Sequence, residues 1–444
     1  MKSLLDGILV LDFTHWIAGP YAGQFLADMG AEVIKVEPPE GAEERRMGNA
    51  QRYMGNTRMS LTLNRGKKSL CLDLKHEEGK KIIYDLVKKA DIVIQNYGPG
   101  VAKKLGIDYE TFAGINEKII FVSSTAFGES GPYQYMKGFD IIAHAASGIM
   151  AGIADEQGNP RGPGGAAFID VGTAMLNAMS AVTALYYRTQ TGVGQKIETC
   201  LFNTGIALQG SGFIQIEKLD SELHEELKEV IRTAKENNMK HTQIIDKMTL
   251  MRLRNEQPDS TRDLDVVDCN HRPSDRQTFP YYRIYQTHDG YMSIGALVAK
   301  QRISLCEVLG IEDKYAYLDL GNGNDETYYY QKEVMKKIED ALGTKSTKEW
   351  LQLLEKAGVP CGPVNYGVTL YDDPHAKAMD MIWELDNPVA GPYKTMGNPM
   401  KFNKTPIKPT HGAPALGQHS IEVLQKLGYS DDKIAALKEQ KIIR

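Results

Sequence analysis

The chain has 444 residues, of which 42% are hydrophobic and 25% charged, and its formal net charge is −5. This is an ordinary globular composition, and it gives no reason to expect nucleic acid or a membrane as a partner. No apolar run reaches the roughly 18 residues of a transmembrane helix. The five cysteines are widely spaced and the ten histidines show no ligand spacing. We therefore expect a cytoplasmic protein with reduced thiols and no bound metal.

The first part of the chain alternates predicted strands and helices. Strands are predicted at residues 8–13, 32–37, 69–74, 91–97 and 118–124, and helices at 20–29 and 76–90. This alternation predicts an α/β fold with a Rossmann-like, doubly wound, mostly parallel sheet. Ligands of such sheets bind beyond the carboxyl ends of the strands. The first turn reads THWIAGP and lacks the GxGxxG pattern, which disfavours a dinucleotide site.

Lysines follow several of these strands. A lysine can neutralise a phosphate as a point charge, and four near the expected ligand edge favour a phosphate-bearing ligand. An ordinary solvated surface is the alternative interpretation. The four are Lys75, Lys103, Lys104 and Lys137.

A single acid, Asp170, ends the small-residue segment GPGGAAFID and precedes an apolar run at 171–187. This pattern predicts a helix with Asp170 as its N-cap. At that position the helix dipole and free backbone N–H groups favour the ionised carboxylate. Asp170 is then either a simple cap or a nucleophile or base held in a pocket of small residues.

The second half of the chain changes character. We predict a strand at 195–201, a charged helical stretch at 217–254, irregular structure at 255–277 and a hairpin of 282–286 with 291–294. Helices follow at 300–309, 328–341 and 347–357, then a Gly/Pro turn at 359–364, short strands after 384, and final helices at 420–427 and 431–440. The predicted domains are a large one (1–205), a charged helical linker (206–280), a smaller α+β domain (281–375) and a C-terminal segment returning to the large domain (376–444).

Several motifs in fixed order carry a family resemblance. They include LDGILVLDFTHWIAGPYAG, NRGKKSLCLDLKHEEGKK, ADIVIQNYGPGVAKKLGIDYE, GFDIIAHAASG and GVPCGPV. With them the chain resembles the class III coenzyme A transferases of CaiB/BaiF type, which include formyl-CoA and carnitine CoA transferases. The resemblance implies a homodimer of two interlocked rings, acyl-CoA and a carboxylic acid as substrates, and no tightly bound cofactor.

The resemblance also implies site residues and a reaction. Asp170 would be the nucleophile that moves coenzyme A from an acyl-CoA to an acid through an aspartyl anhydride and an aspartyl-CoA thioester. Residues at the family's CoA-binding positions are Ile17, Ala18, Leu72, Asp73, Leu74, Lys75, Asn96, Tyr97, Gly98, Lys104, Lys137, Gly138, Phe139 and Asp140. Pro38 and Pro39 replace a frequent family arginine, so that phosphate contact is either missing or supplied by Arg45 or Arg46.

Two other functions stay open. α-Methylacyl-CoA racemases share this fold and carry a histidine just before the acid that matches Asp140. This chain has Phe139 there, so a racemase would need His144 as its second base. A CoA-binding module without catalysis is the third interpretation.

For the identity of the acyl substrate, the sequence offers only the types of residue near the predicted site. The region 210–277 shows no glycine-rich loop of the kind found in the oxalate and formate enzymes, which disfavours those acids. Five side chains near the predicted site would suit a bulkier, partly apolar acid or could be ordinary core and rim residues. They are Trp16, Tyr133, Tyr135, Met136 and Phe139.

Overall fold

The structure is a computed structural model, and it divides into two compact units. The larger unit comprises Met1–Ile149, Gly164–Phe213 and Tyr371–Arg444, and the smaller unit comprises Met150–Pro163 and Ile214–Leu370. The residues that the structure describes are 2–47, 56–152, 154, 155, 157–162, 164–256, 280–314, 316, 325–408 and 411–444.

A six-stranded parallel sheet organises the larger unit. Its strands are β1 (Leu9–Asp12), β2 (Glu32–Glu37), β3 (Lys67–Cys71), β4 (Ile92–Gln95), β5 (Ile120–Thr125) and β6 (Gln195–Cys200). Their order is β3-β2-β1-β4-β5-β6, and every neighbouring pair is parallel. The Rossmann-like fold class is thus confirmed. Strand order reverses between β1 and β4, and a crevice for a ligand forms at such a reversal.

Helices cover both faces of this sheet. They are α1 (Ala18–Asp28), α2 (Glu43–Arg46), α3 (Arg58–Leu63), α4 (Glu77–Val87), α5 (Val101–Leu105), α6 (Tyr109–Ile115), α7 (Asp140–Ala146), α8 (Phe168–Thr191) and α9 (Leu201–Leu208). On one face, α1 and α8 pack against Val10 and Ile94. On the other, α4 and α6 pack against Leu11 and Val93. Strands buried on both faces have nearly continuous apolar sequences, as these do.

The smaller unit is built from helices and a three-stranded sheet. Its elements are α10 (Glu217–Glu236), α11 (His241–Glu256), β7 (Tyr282–Gln286), β8 (Tyr291–Gly295), α12 (Ala299–Leu309), α13 (Asp325–Leu342), α14 (Thr347–Lys356) and β9 (Cys361–Pro363). The predicted hairpin is confirmed by the antiparallel pairing of β7 with β8. The prediction of a Gly/Pro turn at 359–364 is wrong, because β9 pairs with β8. Most of the stretch predicted as irregular lies at 257–279, outside the described residues.

The C-terminal part of the chain belongs to the larger unit. It contributes α15 (Pro374–Ala378), the hairpin of β10 (Ile382–Asn387) and β11 (Gly391–Met396), α16 (Ser420–Leu427) and α17 (Asp431–Glu439). Ile442 and Ile443 are buried in the core that α4 and α6 share. The N–H of Asp73 donates to the carbonyl of Ile442 at 2.9 Å, so the chain end packs beside the exit of β3.

By length and composition, α8 is a helix that could cross a membrane, so the prediction that no apolar run reaches that length is wrong. Its packing indicates another role. Ala174, Ala178, Ala181 and Ala184 form a buried face in the core shared with α1. Small side chains at this spacing let two helices approach closely, so we interpret α8 as a core helix.

Buried charges connect the three strands β1, β2 and β3. The ammonium of Lys67 lies 2.7 Å from Asp12 Oδ2 and also donates to Pro20 O at 2.7 Å and Asn64 Oδ1 at 3.0 Å. Lys35 lies 4.0 Å from Asp12 Oδ1, and all three charged side chains are fully buried. Burial lowers the pKa of Lys67 to about 8. Burial opposes ionisation of Asp12, but Lys35 and Lys67 hold its pKa below the usual value.

We expect Lys67→Met to destabilise the protein by about 3 kcal/mol, because it removes the nearer of the two cations that pair with the buried Asp12. The neighbouring Lys68 provides the control, since its ion pairs with Glu32 and Glu422 lie at the surface. Lys68→Met should cost less than about 1 kcal/mol. Urea denaturation of both variants at pH 7 measures the difference, and equal losses would contradict the assignment.

Candidate active site

A pocket of about 400 Å³ opens at the carboxyl ends of β1, β4 and β5, where the strand order reverses. Its walls include His15 and Trp16 after β1, Asn96 to Gly98 after β4, Phe127 after β5, and Asp170 from α8. All of its lining residues belong to the larger unit. The reversal point therefore brings the candidate nucleophile to the place where ligands of such sheets bind.

Part of the predicted site lies in this pocket. Eight predicted residues line it: Ala18, Asn96, Tyr97, Gly98, Lys137, Gly138, Phe139 and Asp170. Ile17 and Asp140 adjoin lining residues in the chain but are not themselves part of the lining.

The remaining predicted residues lie elsewhere. Lys104 is exposed on α5. Leu72, Asp73, Leu74 and Lys75 follow β3 at the edge of the sheet. Leu72 is fully buried and its backbone bridges to Ile443, so only its main chain could meet a ligand. The role of these residues in CoA binding stays a prediction.

The start of α8 differs from the sequence prediction. The helix begins at Phe168, its N-cap is Ala167, and Asp170 lies inside the first turn. The backbone N–H groups of Ile169 and Asp170 both donate to Oδ1 of Asp140 at 3.0 Å. The prediction that Asp170 caps this helix is therefore wrong. Asp140 satisfies the free N–H groups that a helix start presents, and this leaves the carboxyl group of Asp170 unused for capping.

Asp140 is itself held by His144. The histidine Nδ1 lies 3.0 Å from Asp140 Oδ2 and 3.0 Å from the Asp140 carbonyl oxygen. Because both of these atoms are acceptors, we assign the proton to Nδ1. His144 is only 2% exposed. The one sequence signal for this contact is the spacing of four residues on α7, which places the two side chains on the same face.

The electrostatics of Asp170 follow from this arrangement. Burial, and after it the negative charge of Asp140, raise the pKa of Asp170 to about 7. The sequence pattern predicts the opposite effect, a lowered pKa from free N–H groups at the helix start. The difference arises because the N–H groups of the first turn are already bonded to Asp140. A poorly solvated carboxylate in a pocket is typical of a catalytic nucleophile or base.

Side chains from three elements hold the turn after β1. Thr14 donates its N–H to Asp12 Oδ1 at 2.9 Å, and Lys35 donates to the carbonyl of Thr14. The N–H of His15 donates to Asn96 Oδ1 at 3.0 Å, and Asn96 Nδ2 donates back to His15 O at 2.7 Å. These bonds fix the part of the turn that enters the pocket.

His15 presents an uncharged ring to the pocket. Burial, together with the positive charge of Lys35, lowers the pKa of His15 below its usual 6.5. The ring makes an edge contact with Tyr97, with the centroids 5.1 Å apart. At neutral pH it adds no positive charge to this wall of the pocket.

The two arginines considered for the missing phosphate contact differ. Arg45 is buried, and its guanidinium donates to both carboxylate oxygens of Glu37 and to the carbonyl of Pro414. It is therefore unavailable to a phosphate. Arg46 is about half exposed and pairs with Glu43, so of these two residues only Arg46 could reach a ligand.

Metal ligands and thiols add nothing further to this site. Within the described parts of the chain, no group of three or more His, Cys, Asp or Glu side chains could hold a metal ion. Cys71, Cys200, Cys306 and Cys361 are free thiols, and Cys269 lies outside the described residues. Burial raises the pKa of Cys71 to about 11, so this thiol stays protonated at neutral pH.

Comparison with known proteins identifies the family. The sequence model described as CoA-transferase family III matches residues 5–242 and 249–420. The formyl-CoA:oxalate CoA-transferase of Rhodopseudomonas palustris strain BisB18 is 30% identical over 441 residues, covering 98% of this chain and 96% of that protein. The human succinyl-CoA:glutarate CoA-transferase is 27% identical over 432 residues, covering 97% and 87%.

Solved structures agree with this assignment. The crystal structure of a CAIB/BAIF family protein from Brucella suis superimposes with a TM-score of 0.72 at 26% identity, covering 96% of this chain and 100% of that one. The chain therefore belongs to CoA-transferase family III and is an enzyme of the CoA-transferase type.

Proposed function

We propose that this enzyme transfers coenzyme A from an acyl-CoA to a carboxylic acid, with Asp170 as the covalent nucleophile. The observation that carries the proposal is the position of Asp170, which lines the pocket while Asp140 takes over the N–H groups at the start of α8. The carboxyl group is thus free for chemistry. Its raised pKa indicates an anion that is poorly stabilised before it reacts.

The proposed reaction proceeds through exchange at two carbonyl groups. A carboxylate oxygen of Asp170 attacks the donor thioester carbonyl, the C–S bond breaks, and CoA leaves as a thiolate from an aspartyl–acyl anhydride. The thiolate then attacks the aspartyl carbonyl, which releases the donor acid and forms an aspartyl-CoA thioester. The acceptor carboxylate repeats these steps in reverse, so the new acyl-CoA leaves and the Asp170 carboxylate is regenerated. Covalent catalysis divides a difficult exchange into easier steps.

We assign the CoA moiety to the remaining walls of the pocket. Lys137 is exposed beside the pocket and can contact a phosphate, while Asn96 to Gly98 offer backbone and amide groups. Lys75 and Lys104 are exposed lysines for the more distant phosphates, and the family resemblance supports this placement. A lysine binds phosphate as a point charge and tolerates varied geometry.

The racemase alternative receives little support from the geometry. Its second base would have to be His144, because Phe139 occupies the family position. His144 is buried, its Nδ1 is bonded to Asp140, and it is not among the residues that line the pocket. A base that cannot reach the substrate contributes nothing to proton transfer.

We also propose that the enzyme is a homodimer, as the family resemblance implies. Five large apolar side chains of α8 are exposed, namely Phe168, Met175, Met179, Tyr186 and Tyr187. Exposed apolar patches of this kind commonly mark protein interfaces. Light scattering should give a mass of twice 49.4 kDa, and Met179→Lys should reduce the dimer fraction. A monomeric wild-type enzyme would contradict the proposal.

The covalent intermediate can be trapped. We expect incubation with acyl-CoAs, followed by hydroxylamine or borohydride, to modify Asp170, as detected by peptide mass spectrometry. Asp170→Asn should abolish both the modification and transfer. Asp140→Asn is the matched control, because its amide oxygen still accepts the helix N–H groups, and it should retain labelling at Asp170. An unmodified Asp170, with deuterium instead entering the α-carbon of a branched acyl-CoA, would favour the racemase.

The rate should depend on pH through Asp170. Since only the ionised carboxylate attacks and its pKa is about 7, kcat/KM should rise with pH and reach a plateau above pH 8. At pH 6 it should be roughly tenfold below that plateau. Asp140→Asn removes a negative charge, so its inflection should move to lower pH. An inflection that is identical in both proteins would assign the titration to another group.

A further inference from the structure

We propose that Trp16 and Phe139 form the acyl-binding wall of the pocket and select a carboxylic acid with a bulky apolar tail over short acids and dicarboxylic acids. This role for Phe139 differs from the CoA contact that the family resemblance implies. This inference rests on the proposed function, because it names the substrate class of that same transfer reaction. Three independent observations support it: the backbone of Trp16, the position of Phe139, and the charges along the pocket.

The backbone of Trp16 is held in an unfavourable conformation. Its φ is +67°, in the left-handed region that bulky side chains rarely adopt. Strain of this kind persists only where the surroundings enforce it, and it clusters at functional sites. The indole ring is therefore present at the pocket despite a conformational cost.

Hydrogen bonds from the backbone of Trp16 and His15 hold the turn in this conformation. The N–H of Trp16 donates to Glu44 Oε2 at 3.2 Å, and Glu44 is fully buried and paired with Lys35 at 2.9 Å. On the preceding residue, both backbone groups of His15 are bonded to the Asn96 amide. A shift of Trp16 away from the pocket would break contacts to buried charges.

Phe139 is the second member of this aromatic wall, and it lines the same pocket as Asp170. Its ring meets the Trp16 ring edge-on, with centroids 5.3 Å apart, and it is 55% exposed. The next residue, Asp140, bonds the backbone N–H of Asp170 at 3.0 Å. Two large apolar surfaces thus line the same pocket as Asp170. Such surfaces gain free energy when an apolar tail covers them.

The charges along the pocket fit an acid with a single carboxylate. Among the described lining residues, the ionisable cation is Lys137, which we assign to CoA, and no arginine is present. Met136, Phe127 and Leu201 add apolar surface. A second carboxylate in the tail would meet aromatic rings without the bidentate partner that carboxylates favour, and its desolvation would be uncompensated. Oxalate and glutarate, for which two of the relatives are named, are dicarboxylic acids.

Identity exchange tests this specificity without a known acceptor. Each acyl-CoA is incubated with its own ¹³C-labelled free acid, and entry of label into the thioester is followed. We expect wild-type enzyme to exchange 3-phenylpropanoate and hexanoate with higher kcat/KM than acetate or succinate. Trp16→Gly should lower exchange of 3-phenylpropanoate about 10- to 100-fold, the range that apolar pocket contacts supply. Exchange of acetate should change less than about twofold.

These variants should all fold, so a change in the exchange rate reports a change in substrate contacts. Glycine adopts a positive φ without strain and keeps the N–H that Glu44 accepts, so Trp16→Gly should fold. Trp16→Phe should retain most of the preference. Tyr135→Ala is the control, because Tyr135 is 78% exposed and lies outside the pocket lining, and it should leave the ratio of exchange rates unchanged.

Two results would overturn the inference while leaving the proposed function intact. One is a wild-type preference for succinate. The other is an equal loss with every acyl group in Trp16→Gly, since that would assign the indole ring to CoA. If no acyl-CoA of the panel exchanges and Asp170 is never labelled, the proposed function itself fails, and the inference fails with it.

Discussion

The pocket depends on a cluster of buried charges around Asp12, the last residue of β1. A charge without water must be paired, and breaking such a pair is costly. Here the pairing extends to the backbone of the turn after β1. Lys35 joins Asp12 and Glu44 and also holds the carbonyl of Thr14, while Glu44 accepts the N–H of Trp16. The turn cannot move without unpairing a buried ion, so the electrostatic requirement of the core becomes a geometric constraint on the site.

Two neighbouring carboxylates show how position alone assigns different roles. Asp140 is surrounded by donors, since two helix N–H groups and His144 satisfy its oxygens. Asp170 lies in the first turn of α8, the turn whose N–H groups Asp140 accepts. Burial together with the charge of Asp140 raises the pKa of Asp170 to about 7. One carboxylate is therefore occupied by the helix start, and the other is a poorly solvated group suited to attack. Two acids in one site can thus divide a structural and a chemical role between them.

Local sequence patterns predict much of this fold. Residues 32–37 form β2 with the predicted limits, and the hairpin of β7 and β8 forms around Asp289 and Gly290. What the patterns miss depends on contacts between distant residues. The cap of α8 comes from Asp140, thirty residues before Asp170. The strand β9 exists because β8 pairs with a short Gly/Pro segment. Arg45, a candidate for phosphate binding, is instead bonded inside the core. Propensity and spacing carry no information on partners of this kind.

Three unfavourable features of the larger unit lie at the pocket or beside it. Trp16 has a strained backbone, Asp170 carries a charge that its surroundings oppose, and Lys67 is buried at a cost to its ionised form. Trp16 and Asp170 line the pocket, and Lys67 belongs to the charge cluster that fixes the turn beside it. By contrast, α8 and α1 meet through a regular face of alanines. Natural proteins depart from locally favourable choices mainly where function requires it. The coincidence of strain, buried charge and pocket is therefore an argument for catalysis at this site that is independent of the family assignment.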